Sequence, residues 1–170
     1  MGAGKLLCIL GGILTLVSTF LLSWVSFDIG GTDYYAYGIG IAKNLINMFT
    51  DAETLGTTLG IPGFVIYIIA GILIVFLISG IFQLIGIKIR ALAIIGSIFV
   101  VLVGTLIILG VFDVVDAPLW VENIFGDSEP IVDGIIPFDL PLGPVSLGTY
   151  TLLAGGILGL VGGILGPEEF

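Results

Sequence analysis

Large apolar residues run almost unbroken through four stretches, residues 6–24, 63–87, 91–112 and 147–165. No Lys, Arg, Asp or Glu lies within any of them. A helix crosses the hydrocarbon core of a bilayer in about 20 residues, so each stretch is long enough for one crossing or nearly so. The pattern predicts an all-α membrane protein. Its architecture would be an antiparallel four-helix transmembrane bundle with a small extracellular β-hairpin or sheet and short amphipathic helices.

Between these stretches the periodicity changes. Val25, Phe27 and Ile29 alternate with Ser26 and Asp28, Gly30-Gly31 follows, and Thr32 to Tyr37 is rich in strand-favouring rings. Two such runs joined by a Gly-Gly pair predict a hairpin, because both turn positions can take positive φ. Ala42, Leu45, Ile46 and Phe49 then recur at helical spacing, with Lys43, Asn44 and Asn47 facing away, which predicts an amphipathic helix over residues 39–50. Gly56, Gly60 and Pro62 end that segment. In the second connecting segment, Asp116 as N-cap and Pro118 in the first turn predict a helical turn over residues 117–125. Residues 126–130 read as a turn. Residues 135–140 read as extended and, with Pro137, Pro141 and Pro144 nearby, as an edge strand. That strand is expected to complete an antiparallel sheet with the hairpin.

Charge gives the chain an orientation. Only four residues are basic. Lys5 precedes the first apolar stretch, and Lys88 and Arg90 fill the three-residue gap between the second and third. Basic residues flanking spans stay in the cytoplasm. Lys5, Lys88 and Arg90 therefore place residues 1–5, 88–90 and 166–170 inside the cell, and residues 25–62 and 113–146 outside. The two outer segments hold eleven of the thirteen acids. Trp24 and Trp120 read as anchors at the membrane–water boundary.

Composition narrows the chemistry. Hydrophobic residues make up 58% of the chain and charged residues 10%, and the mean hydropathy is +1.28. A soluble domain carries about a quarter charged residues, so the expected solvent is lipid. A net charge of -9 argues against nucleic acid. The chain has no His and one Cys, which removes most zinc, haem and triad chemistries. No catalytic residue, cofactor site or metal site is expected. Asp127, Glu129 and Asp133 lack EF-hand spacing and read as a solvated acidic loop. The first apolar stretch exceeds a signal-peptide core and is followed by no small-x-small site, so it is expected to be retained. Leu6 stands where N-myristoylation wants Ser or Thr.

Packing between spans is expected to use small residues, since lipid gives helices no hydrophobic reason to associate. Gly155, Gly159 and Gly163 are spaced by four and predict a groove on one side of the last span. Gly4, Cys8 and Gly12 share that spacing on the first. Intramolecular packing of the first and fourth spans is the preferred reading, with a groove for a second subunit as the alternative.

The plan resembles the claudin-like tetraspan arrangement of four helices, inner termini, a tight inner turn and two outer segments sharing a sheet. Trp24 is similar in place to the first claudin Trp, but no Gly-Leu-Trp and no Cys pair follow, so the junction-forming role is not implied. The run from Leu10 to Leu14 leading into Phe20-Leu21-Leu22-Ser23-Trp24 is also similar to the openings of small prokaryotic, often archaeal, membrane proteins. That likeness implies no activity. The expected function is that of a non-enzymatic, multi-pass cell-membrane protein of structural or interaction type, partnered by the bilayer and by itself or other membrane proteins. The alternatives are an accessory subunit of a respiratory or transport complex and an oligomeric channel.

Overall fold

The computed structural model describes residues 2–109 and 117–166. Asp113, the expected N-cap Asp116, residues 110–112 of the third stretch, Pro167, Glu168 and Glu169 lie outside the described residues.

The fold is mostly helical, with small antiparallel sheets. In chain order it contains α1 (Ala3–Leu21), β1 (Val25–Ile29), β2 (Thr32–Ala36), α2 (Gly38–Thr50), α3 (Ala52–Leu59), α4 (Gly63–Leu77), α5 (Ser79–Ile85) and α6 (Arg90–Ile108). After residue 116 come α7 (Ala117–Trp120), a π-helical turn (Val121–Phe125), β3 (Gly126–Asp127), β4 (Pro141–Leu142), β5 (Val145–Ser146) and α8 (Leu147–Leu165). Among the described residues α1, α6 and α8 are each long and apolar enough to cross a membrane. A fourth such segment is counted if α3 and α4, which meet at 101°, form one bent span. The amphipathic helix, the Gly30-Gly31 hairpin and the last apolar helix fall close to where the periodicity puts them.

Three boundaries differ from the sequence pattern, each for a local reason. The apolar run predicts a first helix through Trp24, but α1 stops at Leu21. The Leu21 carbonyl accepts from the Phe138 N–H at 2.8 Å, and the Phe138 carbonyl accepts from the Ser23 N–H at 3.0 Å. A neighbouring segment thus takes over backbone groups that would otherwise continue the helix. The second stretch is broken at Ile78, between α4 and α5. Ser79 Oγ donates to the Val75 carbonyl at 2.9 Å, a back-bond that bends helices. The third difference lies in the sheet. Its third strand is Gly126–Asp127, paired with β2 through Ala36↔Gly126 and Tyr35↔Asp127, not residues 135–140. Gly126 fits because α2 crosses directly over it: a Cβ on Gly40 would lie 2.8 Å from the Phe125 carbonyl oxygen. Residues 141–146 instead form a separate two-stranded hairpin.

Four helices close a ring of pairwise contacts: α1 on α8, α8 on α6, α6 on α5, and α5 on α1. Their facing sides carry Gly, Ala, Ser, Thr and Cys. Their outer sides carry exposed Ile and Leu, such as Leu6, Leu10 and Ile13 on α1 and Ile98, Leu102 and Leu106 on α6. This inverts the size pattern of a water-soluble bundle. Close approach replaces hydrophobic collapse, and it is tightest between α1 and α8. A Cβ on Gly11 would lie 2.8 Å from the Gly159 Cα, and one on Gly155 would lie 2.8 Å from the Thr15 backbone nitrogen.

Residues on the seam test this directly. Gly155→Ile is expected to destabilise the monomer by about 3 kcal/mol or more, because the side chain meets backbone that cannot yield. Gly71→Ile, where nothing lies within 4 Å, is expected to change stability by about 0.5 kcal/mol at most. Thermal unfolding in mild detergent, with monodispersity checked by gel filtration, measures both. Equal effects would refute close approach as the organising contact.

Candidate functional site

The four-residue stripe resolves into two stripes of period seven. Gly148, Gly155 and Gly162 meet α1 or the residues just after it: Cβ atoms there would crowd Ser23, Thr15 and the Cys8 nitrogen respectively. Gly156 and Gly163 meet α6, at Val101 and Ile94. Gly159 lies between, and a Cβ on it would sit 2.7 Å from the Gln83 Cδ. Gly155 and Gly159 thus both lie against α1, at Thr15 and Gly11, whereas Gly163 faces α6. On α1, Gly4 meets Gly162 and Gly166, while Gly12 meets Gly80 and Leu84 of α5.

Polar groups converge where these helices meet. Gln83, Thr15, Ser97 and Gly159 come from α5, α1, α6 and α8. Thr15 Oγ1 donates to Gln83 Oε1 at 3.0 Å. Gln83 and Ser97 are fully buried, and their Nε2 and Oγ have no hydrogen-bond partner among the described residues. This node holds no ionisable group. The Thr15–Gln83 hydrogen bond ties α1 to α5 across their interface.

Lys5 and Arg90 line one cleft at the α1 N-terminus, together with Cys8 and Gly166. Arg90 donates to the Ile164 carbonyl at 2.6 Å, placing a cation at the C-terminal end of α8, where the helix dipole favours it. Lys88 is exposed in the adjoining turn. The fourth cation, Lys43, lies at the sheet end and forms an ion pair with Asp127. Asp127 Oδ1 also accepts from the Glu129 N–H at 3.0 Å.

Trp24 and Trp120 do not occupy equivalent surface positions. Trp24 is 2% exposed. Its Nε1–H donates to the Ser18 carbonyl at 3.1 Å, one of the acceptors that the end of α1 leaves free. Its ring meets Phe76 edge-on, with centroids 5.5 Å apart. The indole is thus an internal strut, not a group turned toward headgroups, because its donor is satisfied inside the fold. Trp120 stacks on Phe125 at 6.0 Å.

Both tryptophans line a cavity of about 310 Å³ between α4 and α6. Ile69, Leu73 and Phe76 line it from α4, Val103 and Ile107 from α6, and Phe125 from the residue before β3. The sequence gives no signal for this cavity, because its residue types are those of the surrounding apolar stretches. Only Trp24 and Trp120 stood out, and for a different reason.

Tyr37 stands apart from these features. It is fully buried under the cap, and its hydroxyl has no hydrogen-bond partner among the described residues. Burial, and secondarily the charge of Asp127, push its pKa up to about 12.

Fold and site together define a helical protein with several membrane-length apolar helices, a glycine-lined interior and a small β cap. Comparison with protein-family models, curated proteins and solved structures finds no match to this chain.

Two measurements probe the buried polar groups. A double-mutant cycle of Thr15→Val and Gln83→Leu is expected to give a coupling of about 0.6 kcal/mol, the usual size of an interhelical hydrogen bond in lipid. Zero coupling would remove the node as a registering contact. For Tyr37, the folded state holds its proton above pH 10 while the unfolded state releases it. Stability is therefore expected to fall as pH rises from about 10 to about 12. Tyr37→Phe is expected to lessen that fall and to be neutral or slightly stabilising at pH 7. Unfolding midpoints across pH, read alongside tyrosinate absorbance, check the sign.

Proposed function

We propose that this chain is a multi-pass cell-membrane protein of non-enzymatic, structural or interaction type. Its four apolar segments form an antiparallel bundle, with α4 and α5 together as the second crossing. The segment α3 is a poor part of any span, since it carries Glu53, Thr54, Thr57 and Thr58. By contrast the helix path continues from α4 into α5: the Phe82 N–H donates to the Ile78 carbonyl at 3.0 Å. The sheet and α2 lie outside the cell. Lys5, Lys88 and Arg90 hold the opposite end, with both termini, in the cytoplasm.

One observation carries this reading most strongly. The helices present large aliphatic side chains outward and small or hydroxyl-bearing residues inward. Such an exterior is far larger than the apolar patches that soluble monomers expose, and such an interior is how helices pack when lipid is the solvent. The claudin-like plan agrees with this topology and adds no activity to it. The protein then acts through its surfaces: the cap toward the outside, and the aliphatic faces toward lipid and other spans.

Single cysteines in a Cys8→Ala background test the topology. Asp33→Cys is expected to react with a membrane-impermeant maleimide on intact cells. Lys88→Cys is expected to react only after permeabilisation. The reverse pattern would overturn the orientation, and equal labelling of both from outside would overturn the membrane reading.

A further inference from the structure

We propose that the cavity between α4 and α6 is a binding site for one hydrocarbon chain of a bilayer lipid. The inference rests on the membrane reading above and adds an occupant to it. Every described residue of the lining is hydrophobic. The one indole N–H there whose bond is known, that of Trp24, is directed to Ser18. A ligand with a charge or an unpaired polar group would find nothing to answer it among the described lining residues. Water is also a poor occupant, since apolar cavities stay dry even when large. A hydrocarbon chain needs no polar partner and matches the lining.

Size and access point the same way. Packed interiors leave few voids larger than a water molecule, and this one is about 310 Å³. An apolar cavity of about 150 Å³ accepts a benzene ring, so the space here suits a length of chain. The cavity is continuous with the aliphatic outer surface: Ile72, Leu102 and Leu106 line it while remaining 43%, 50% and 44% exposed. On the membrane reading that surface faces acyl chains. Phe125 and Trp120 line the side toward the cap, and the exposed Ile72, Leu102 and Leu106 mark the sideways entry from lipid. The opening lies where α4 touches α6 sparsely, whereas α5, beyond the break at Ile78, packs closely on it. The depth fits as well. Leu102 to Ile107 lie within about 9 Å of the outer end of α6 at Ile108, at 1.5 Å per residue, inside the outer half of a hydrocarbon core about 30 Å thick.

The chain's only two tryptophans both line this cavity, which makes the test direct. Trp120→Phe keeps the stack on Phe125 and leaves Trp24 as the sole indole. The protein is reconstituted into phosphatidylcholine vesicles with bromine at successive positions along one acyl chain, bromine being a short-range quencher. Flotation on a density gradient confirms association with the vesicles. Trp24 is walled off from the bulk bilayer, yet its emission is expected to fall by about half when bromine is placed near the middle of the chain. Val103→Phe or Ile69→Phe, each of which fills the cavity, is expected to restore most of that emission. If the protein floats and Trp24 stays bright with every brominated lipid, the cavity is empty or closed by a second copy, and the proposal fails alone. If quenching persists undiminished in both filled variants while they retain the wild-type unfolding midpoint, the proposal fails as well. If the protein does not float, both this proposal and the membrane reading fail.

Discussion

The contact on which the structure depends is the backbone-to-backbone approach of α1 and α8. It demands glycine on both helices, at Gly11 on one and at Gly155 and Gly162 on the other. Once these helices are fixed at that distance, other features follow. Ser18 Oγ can reach the Gly148 carbonyl, and Thr149 Oγ1 can donate to the Trp24 carbonyl at 2.8 Å. Ser146 N–H adds a second bond to the same carbonyl. The end of α1 and the start of α8 thus become one hydrogen-bonded junction, and the cap is built from it. Asp139 extends the junction by accepting from Ser26 Oγ and Ser146 Oγ, tying β1 to β5.

The interior is correspondingly unusual in what it lacks. Aliphatic bulk is spent outward, so the helix interface relies on dispersion at short range and on a few hydrogen bonds. The node of Thr15, Gln83 and Ser97 sits where four elements meet. It supplies direction to a contact that small residues leave smooth. The largest buried side chains gather near the cap, where Trp24, Phe76, Ile41, Met48 and Ile124 are fully or almost fully buried. The molecule is therefore two packing regimes joined end to end: glycine against glycine below, and ring against aliphatic above. The cavity between α4 and α6 lies on the α4 side of the second regime.

Legibility followed this division. Apolar runs and the period-two segment revealed α8, α6, the hairpin and α2 to within a few residues, because these depend on local pattern alone. The seven-residue glycine stripes were hidden because composition offers so many four-residue matches. Only the paired neighbours, α1 on one side and α6 on the other, separate Gly155 from Gly156. The third strand was missed because Gly126 and Asp127 carry turn chemistry, and only the overlying α2 makes them a strand. Trp24 was misplaced for a similar reason: an indole at the end of an apolar run looks like a surface anchor until its donor is seen bonded to Ser18. The cavity had no local signature, since an absence of packing between two remote helices leaves no mark on either.

Because α8 touches both α1 and α6, its place in the chain bears on biogenesis. The ribosome makes α8 after every other helix described. Until it arrives, the glycine edge of α1 and the small-residue face of α6 have no central partner, and Arg90 has no Ile164 carbonyl to hold. The four-helix ring is therefore closed only once α8 is in place. A chain cut before Leu147 would keep α1, α5 and α6 and lack the one helix on which both α1 and α6 pack most extensively.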